Sequence, residues 1–463
     1  MAPGYKEDSY LILQPGSQHT LVRLGLEDPL GLPSHSIPTK VYRCVNDEEE
    51  ALYSMVERDG YSVVFPIVAG QIKDVKGLQF LIKSIITTLL KKDGNGDDEE
   101  NSHQDITSVE SVNLLLVQSS SRWSPFAVES IVNYAFERLN FNSVSVIPLE
   151  LCSMFAYGSI PNALVVDIGY EKSEILPIVD YQLYSPAKKV VMKGGDYINQ
   201  TLCKLLPKFS YEQAEVLKKS SIFECLSEED AKKSFYGMEG LIENIDMNDG
   251  ENDDDGVLDI AAIVTSEKST REILEENKKS KKKAENRLNS EMETNTFYDS
   301  DGSLLTVGKE RFQGCNDLID SLVFNIYHSL RKIPDLKKRQ DCYDNIILTG
   351  QTSKIKGLKE KIIFHLFSNY VILTDNKLLQ PQSQFRNDVR AVDDSAISQV
   401  PRHLKLVPKV EYFSEWKKNG FEDCSFLGAQ ILSKQVFTSN SELCLTREIY
   451  NENGPMVIWN ICL

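Results

Sequence analysis

One plan occurs twice in this chain: an apolar strand, a turn containing glycine, and a returning strand. The first copy is Tyr10-Leu11-Ile12-Leu13, a turn at Pro15-Gly16-Ser17, and Thr20–Leu24. The second is Ala163–Tyr181, ALVVDIGYEKSEILPIVDY. There Leu164-Val165-Val166 run into Asp167, Gly169 permits a tight reversal, and Ile175-Leu176 with Ile178-Val179 return. An acid ending a buried strand, beside a glycine turn with free N–H groups, suits phosphate and metal. A single Asp-x-Gly more often only starts the turn of a core hairpin. Two copies in one chain predict a duplicated α/β core whose turns face each other across a cleft.

The 463 residues, 41% of them hydrophobic, suffice for roughly two to four domains or subdomains. The net charge of −17 and a pI near 5.0 describe an acidic surface that repels phosphate backbones. Direct nucleic-acid binding is therefore not expected. The nine cysteines are scattered and form no CxxC pair. Neither a zinc site nor a disulfide framework follows, and no metal site is expected. Reduced thiols in the cytosol or nucleus fit this usage. The start, MAPGYKEDSY, shows no basic region followed by an apolar one. No apolar run reaches the roughly 18 residues of a membrane span. A soluble, intracellular chain is the expectation.

Helices and strands alternate around the two hairpins. Leu78, Leu81, Ile82, Ile85, Ile86 and Leu89 fall at helical spacing after a turn at Ala69-Gly70. Val112–Val117 reads as a buried strand. Ser124-Pro125 starts a helix over Phe126–Leu139, the serine as cap and the proline at the first position. Val144–Ile147 is a strand, and Pro148–Tyr157 an apolar helix leading into the second hairpin. Lys193-Gly194-Gly195-Asp196 precedes a helix over Tyr197–Leu206, as a plain turn or as an anion site, with Asp196 as a candidate cap. Tyr211–Phe235 is amphipathic. Asn295–Phe312 is a hairpin around Asp301-Gly302. Tyr343–Leu348 is a strand ending in Thr349-Gly350-Gln351-Thr352, and Phe426–Phe437 is a last apolar helix. Three polar stretches, at 91–104, 238–293 and 380–402, read as insertions. The second carries the lysine run at 278–283, a nuclear localisation signal or a solvated face.

The order of these parts resembles the actin superfamily. The residues that carry the resemblance are the turn at Gln14–Gln18, the turn at Asp167–Glu171, and the glycine turn at Met192–Asp196. They continue with DGSLLTVGKERF, ILTGQTSKIKG, FLGAQILSKQ and TREIYNENGP. The resemblance spans nearly the whole chain, with gaps at the polar insertions. It implies an α/β, actin-like duplicated ATPase-type fold, two lobes and four subdomains around a central cleft. In that division 1–40, 66–157 and 412–463 form the outer core subdomain, and 41–65 a small second one. Residues 158–193 and 306–411 form the third, and 194–305 the fourth. Segments such as LKKSSIFECLSEEDAKK and EWKKNGFEDCSFLGAQILSKQVF are further similar to a fungal branch of actin-related proteins that serves in the SWI/SNF and RSC chromatin remodellers.

In that family the cleft holds ATP, and this chain departs from the pattern at most of its parts. Gln14 stands where the family carries an acid, and Pro15 removes a backbone donor. Gly16 and Ser17 remain. The lysine usual in the next strand is replaced by an apolar residue near Leu21. Asp167 and Gly169 remain in the second turn, but Tyr170 and Glu171 replace an Asp-Gly pair. Glu174 replaces the histidine that polarises water, and the catalytic glutamine falls on Pro148 or Leu149. Gly194 and Gly350 remain, whereas Gln351 replaces a second glycine. Added carboxylate charge and bulk oppose a polyphosphate. The expectation is a cleft with no catalytic residue and no resident cofactor, leaving room for weak ATP binding at most. The alternative is a nucleotide-binding or hydrolysing actin-like ATPase.

The resemblance then places function on the surface, in an apolar groove that takes an amphipathic helix. Its candidate residues are Phe155, Tyr157, Ile431, Leu432, Val436 and Phe437, which serve equally as ordinary core. The implied partners are the helicase-SANT-associated helix of a remodeller ATPase, a sister actin-related protein in a heterodimer, and other remodeller subunits, in the nucleus.

Overall fold

In the computed structural model the central strands bury both of their faces, as a near-continuous apolar pattern requires. The described residues are 10–26, 30–44, 52–92, 112–225, 289, 292–371, 400–419, 421–437 and 443–461. The lysine run at 278–283 and most of the three polar stretches lie outside them. The chain divides into two compact units, Met1–Ile198 with Leu318–Lys354 and His365–Leu463, and Asn199–Asp317 with Ile355–Phe364.

The first unit holds two main sheets. A six-stranded sheet runs in the order Leu445–Thr446, Ser143–Pro148, Asn113–Gln118, Tyr10–Pro15, His19–Leu24, His35–Pro38. Three of its four inner strands, Ser143–Pro148, Asn113–Gln118 and Tyr10–Pro15, are parallel. Alternation sorts their side chains. Leu11, Leu13, Leu114, Leu116, Val144 and Val146 pack on one face. There they meet Leu78, Ile82, Val128 and Ile131 from the helices Val75–Lys92 and Pro125–Glu137. Tyr10, Ile12, Leu115, Val117 and Ile147 pack on the other face with residues of the helices Leu149–Ala156 and Cys424–Val436. Ser124 caps its helix as the sequence predicts, its hydroxyl accepting the Ala127 N–H, with proline at the first position.

The second sheet runs Gln182–Leu183, Ser173–Val179, Ala163–Ile168, Ile346–Thr349, with Lys189–Val191 also paired to Ser173–Val179. The second hairpin and the strand ahead of Gly350 are thus neighbours, with Asp167 beside Thr349. The helices Leu149–Ala156 and Cys424–Val436 touch backbone to backbone. A Cβ on Gly428 would lie 1.7 Å from the Cys152 carbonyl oxygen, so only glycine allows this approach.

The second unit contains the helix Tyr211–Lys219, closed by a Ser210–Gln213 capping box. It also contains the hairpin Asn295–Tyr298 and Leu304–Val307, turning at Gly302 with φ 78°. The predicted amphipathic helix ends at Lys219, and residues 226–235 lie outside the described set. Among the described residues the eight cysteines are free thiols. Among the described residues no helix is long and apolar enough to cross a membrane, and no cluster of three or more metal-ligating side chains occurs.

Candidate functional site

Both glycine turns lie in the first unit, and a loop at Ser119–Arg122 touches each. In the first, Pro15 pairs with Thr20 and the Gly16 N–H donates to the His19 carbonyl at 2.9 Å. A Cβ on Gly16 would lie 2.9 Å from that same oxygen. The Ser119 hydroxyl donates to the Pro15 carbonyl. The Gln14 side-chain oxygen accepts from Ser425 Oγ at 3.1 Å. Gly16 and Ser17 are half-buried.

In the second turn Asp167 pairs with Glu174 across the hairpin, and the Gly169 N–H donates to the Lys172 carbonyl at 2.9 Å. Lys172 Nζ and Glu174 Oε1 form a buried ion pair at 2.5 Å. Ser120 Oγ donates to Glu174 Oε1 at 2.5 Å, and the Ser121 N–H to Oε2 at 3.1 Å. Glu171 Oε2 accepts the Ala69 N–H at 2.5 Å, while Arg122 donates to the Ala69 carbonyl at 2.7 Å. Ala69 and Gly70 have φ of 49° and 73°, the pattern of a two-residue hairpin turn. The Lys172 stem lies against Gly70, where an added Cβ would come within 2.1 Å of its Cε.

The Gly194-Gly195 turn packs on this hairpin. The Gly195 N–H donates to the Gly169 carbonyl at 3.0 Å, and the Asp196 N–H to the Tyr170 carbonyl at 2.8 Å. A Cβ on Gly194 would lie 2.4 Å from the Gly169 oxygen. These helix-start donors are therefore engaged by the chain itself. Asp196 sits inside the first turn of the helix Gly195–Leu205 rather than at its cap. Gly350, at φ 89°, donates its N–H to the Glu422 carbonyl at 2.8 Å. A Cβ there would lie 2.6 Å from Asp167 Oδ1. Gln351 donates to the Asp423 carboxylate.

The electrostatics follow from burial. Desolvation pushes Asp167 up to about 7; Lys172 opposes it, and Glu174 and Asp423 add to it. Glu150, buried in the helix after Ser143–Pro148, is pushed up to about 8 by burial first and by the Glu174 charge second. Asp423 is raised to about 6 by burial and then by Glu422. Burial also raises Glu174, but Lys172, Ser120 and the Ser121 N–H outweigh it and hold that carboxyl below its usual value. One acid keeps its charge through three donors, and the acids around it are driven toward their neutral forms.

Lys172, Ser120, Ser121, Arg122, Glu150 and Asp423 are not among the sequence-predicted candidates, and Ala69 is predicted only as part of a turn. Lys172 and Glu174 stand two apart along one strand direction, on one face, and that spacing was a usable signal. The contribution of Ser120, 54 residues from Glu174, had none.

The groove candidates separate. Leu432, Val436 and Phe437 are buried, at 1%, 0% and 4% exposure, in the core beneath the helix. Phe155, Tyr157 and Ile431 are half-buried and pack against its edge. Tyr157 also meets Phe421, with ring centroids 5.5 Å apart.

Two strand–turn–strand units on neighbouring sheets, with the glycine turns at 194 and 350 packed beside Asp167, are the parts of an actin-type nucleotide fold. A family model described as Actin matches residues 6–463, and the chain belongs to the actin family. Among individual proteins, it is 25% identical to the SWI/SNF and RSC complexes subunit arp9 of Schizosaccharomyces pombe, over 98% of this chain and 99% of that protein. It is 20% identical to actin-related protein 2 of Oryza sativa subsp. japonica, over 70% of this chain and 67% of that protein. It is 32% identical to actin-related protein 4 of Saccharomyces cerevisiae over 19% of each.

Proposed function

We propose that this chain is a non-catalytic, structural actin-related subunit of an ATP-dependent chromatin-remodelling complex of SWI/SNF and RSC type, working in the nucleus. The assembly role is carried by end-to-end similarity to a fission-yeast protein named as a subunit of those complexes. The non-catalytic half is supported by Glu171 and Glu174, whose carboxylates engage N–H and hydroxyl donors around the second turn. Phosphate contacts in this fold need such donors free and need little added negative charge. The subdomain division set out above belongs to the same reading.

In this reading the subunit pairs with a sister actin-related protein and receives the helicase-SANT-associated helix of the remodeller ATPase. Phe155, Tyr157 and Ile431 offer the half-buried apolar edge that an amphipathic helix uses as anchor points. Leu432, Val436 and Phe437 support that edge from the core.

The test is capture of the ATPase helical segment by the purified full chain, alone and with the sister subunit. Retention in at least one form is the expected result, and none in either removes the reading. A second reading, a nucleotide-hydrolysing actin-like protein, draws on Asp167, Gly16 and Ser17 at their turns. Acid extraction and chromatography decide it, because stoichiometric nucleotide that turns over would displace the structural role.

A further inference from the structure

Three donors of different kinds converge on one buried carboxylate. Lys172 Nζ and Ser120 Oγ each lie 2.5 Å from Glu174 Oε1, and the Ser121 N–H reaches Oε2 at 3.1 Å. The side chains of Lys172 and Glu174 are 8% and 2% exposed. The serine hydroxyl is itself oriented, since it accepts the Arg122 N–H at 3.1 Å. An ion pair needs only the lysine. A cation, an oriented hydroxyl and a main-chain N–H aimed at one point are the donor set of an oxyanion site.

We propose that Ser120, Ser121 and Lys172 form an oxyanion-binding site of the kind that takes a carboxylate or a phosphate, and that the Glu174 side chain is its permanent occupant. This deepens the reading of the cleft as non-catalytic and rests on it. A side chain carried on the adjacent strand Ser173–Val179 has no association cost to meet. It therefore excludes free anions that must come from solution. The ligand class is narrow. Asp167 lies opposite Glu174 in the hairpin, and Glu150 is close enough to feel the Glu174 charge. The burial that drives these acids toward their neutral forms disfavours the further charges of a polyphosphate in the same way, so the site suits a small oxyanion such as formate or inorganic phosphate.

Chemical rescue tests this on the full chain. Glu174→Ala vacates the carboxylate and leaves the donors. Its melting temperature should fall by about 3–5 °C in chloride, and rise again in formate or phosphate at matched ionic strength. The wild type, already filled, should show no preference for formate over chloride. Equal formate effects on wild type and variant, or none on the variant, overturn the proposal.

Where Glu174→Ala does not stay folded, Glu174→Gln keeps the volume and removes only the charge. It should melt below wild type, and adding Lys172→Met should recover most of the loss by removing the cation that needs an anion. A double variant that melts lower still overturns the proposal. Release of phosphate from ATP by the wild type would overturn the non-catalytic reading and leave the formate result standing.

Discussion

The carboxylate of Glu171 accepts the backbone N–H of Ala69 at 2.5 Å across 102 residues of chain. Arg122 holds the carbonyl of the same residue. Ala69 has φ 49°, a left-handed conformation that costs a non-glycine residue energy. Two charge-assisted hydrogen bonds therefore hold a strained turn over the second hairpin. Glu171→Ala should destabilise the protein by about 1–2 kcal/mol. Hydrogen exchange should quicken at Ala69–Gln71. An unchanged melting temperature with unchanged exchange would show that the tether carries nothing.

Close backbone approach makes two glycines irreplaceable. Gly428→Ala would drive a methyl to 1.7 Å from the Cys152 carbonyl, and Gly194→Ala to 2.4 Å from that of Gly169. Neither obstacle is a flexible side chain. Each change should cost about 3 kcal/mol or more and reduce soluble yield. Gly302→Ala meets nothing within 4 Å and answers only for its positive φ of 78°. It should cost about 1 kcal/mol. Calorimetry of the three variants orders them, and equal losses would contradict the packing argument.

The acids near the second hairpin set a pH dependence. Glu150 moves from an ordinary 4.5 to about 8, and Asp167 from 3.8 to about 7, both chiefly through burial. Across that window the folded chain keeps protons that the unfolded chain has released. Stability contributed by these groups therefore falls as pH rises from about 4.5 toward 8, and levels off above it. Glu150→Gln should flatten the profile and stabilise the protein at pH 8 by about 1–3 kcal/mol. Glu174 acts in the opposite sense, since its lowered pKa gives stability that is lost on acidification. Urea unfolding at several pH values measures both, and an identical slope in the Glu150 variant would refute the assignment.

Adjacent residues on the last long helix should behave differently. Ile431 is half-buried and Leu432 is 1% exposed. Ile431→Asp should weaken capture of the partner helix by about tenfold or more. Its melting temperature should stay near that of wild type. Leu432→Ala should cost about 2–5 kcal/mol of stability. Equal binding by the Ile431 variant would move the groove elsewhere.

Much of the frame is legible from residues alone because it rests on short-range periodicity. The apolar strand at Tyr10–Leu13, the Ser124-Pro125 helix start and the Asp301-Gly302 turn all appear where the pattern predicts. The apolar helix Cys424–Val436 was less readable. Its sequence is apolar on several faces, so nothing local separates Ile431 from Leu432. Asp196 misled for a similar reason, since an acid before a helix resembles a cap until the carbonyls of Gly169 and Tyr170 are seen to take the helix-start donors.

The two hairpins, the order of the parts and the positions of Glu171 and Glu174 beside the second turn can be read from residues alone. What those two acids do depends on residues distant in the chain. Glu174 is a charge added to a turn until Ser120 and Ser121 arrive from the strand Asn113–Gln118 and Lys172 folds over Gly70. Range separates the two: helix and strand propensity act over a few residues. The charge state of a buried carboxylate is set by whichever donors the fold brings within about 3 Å.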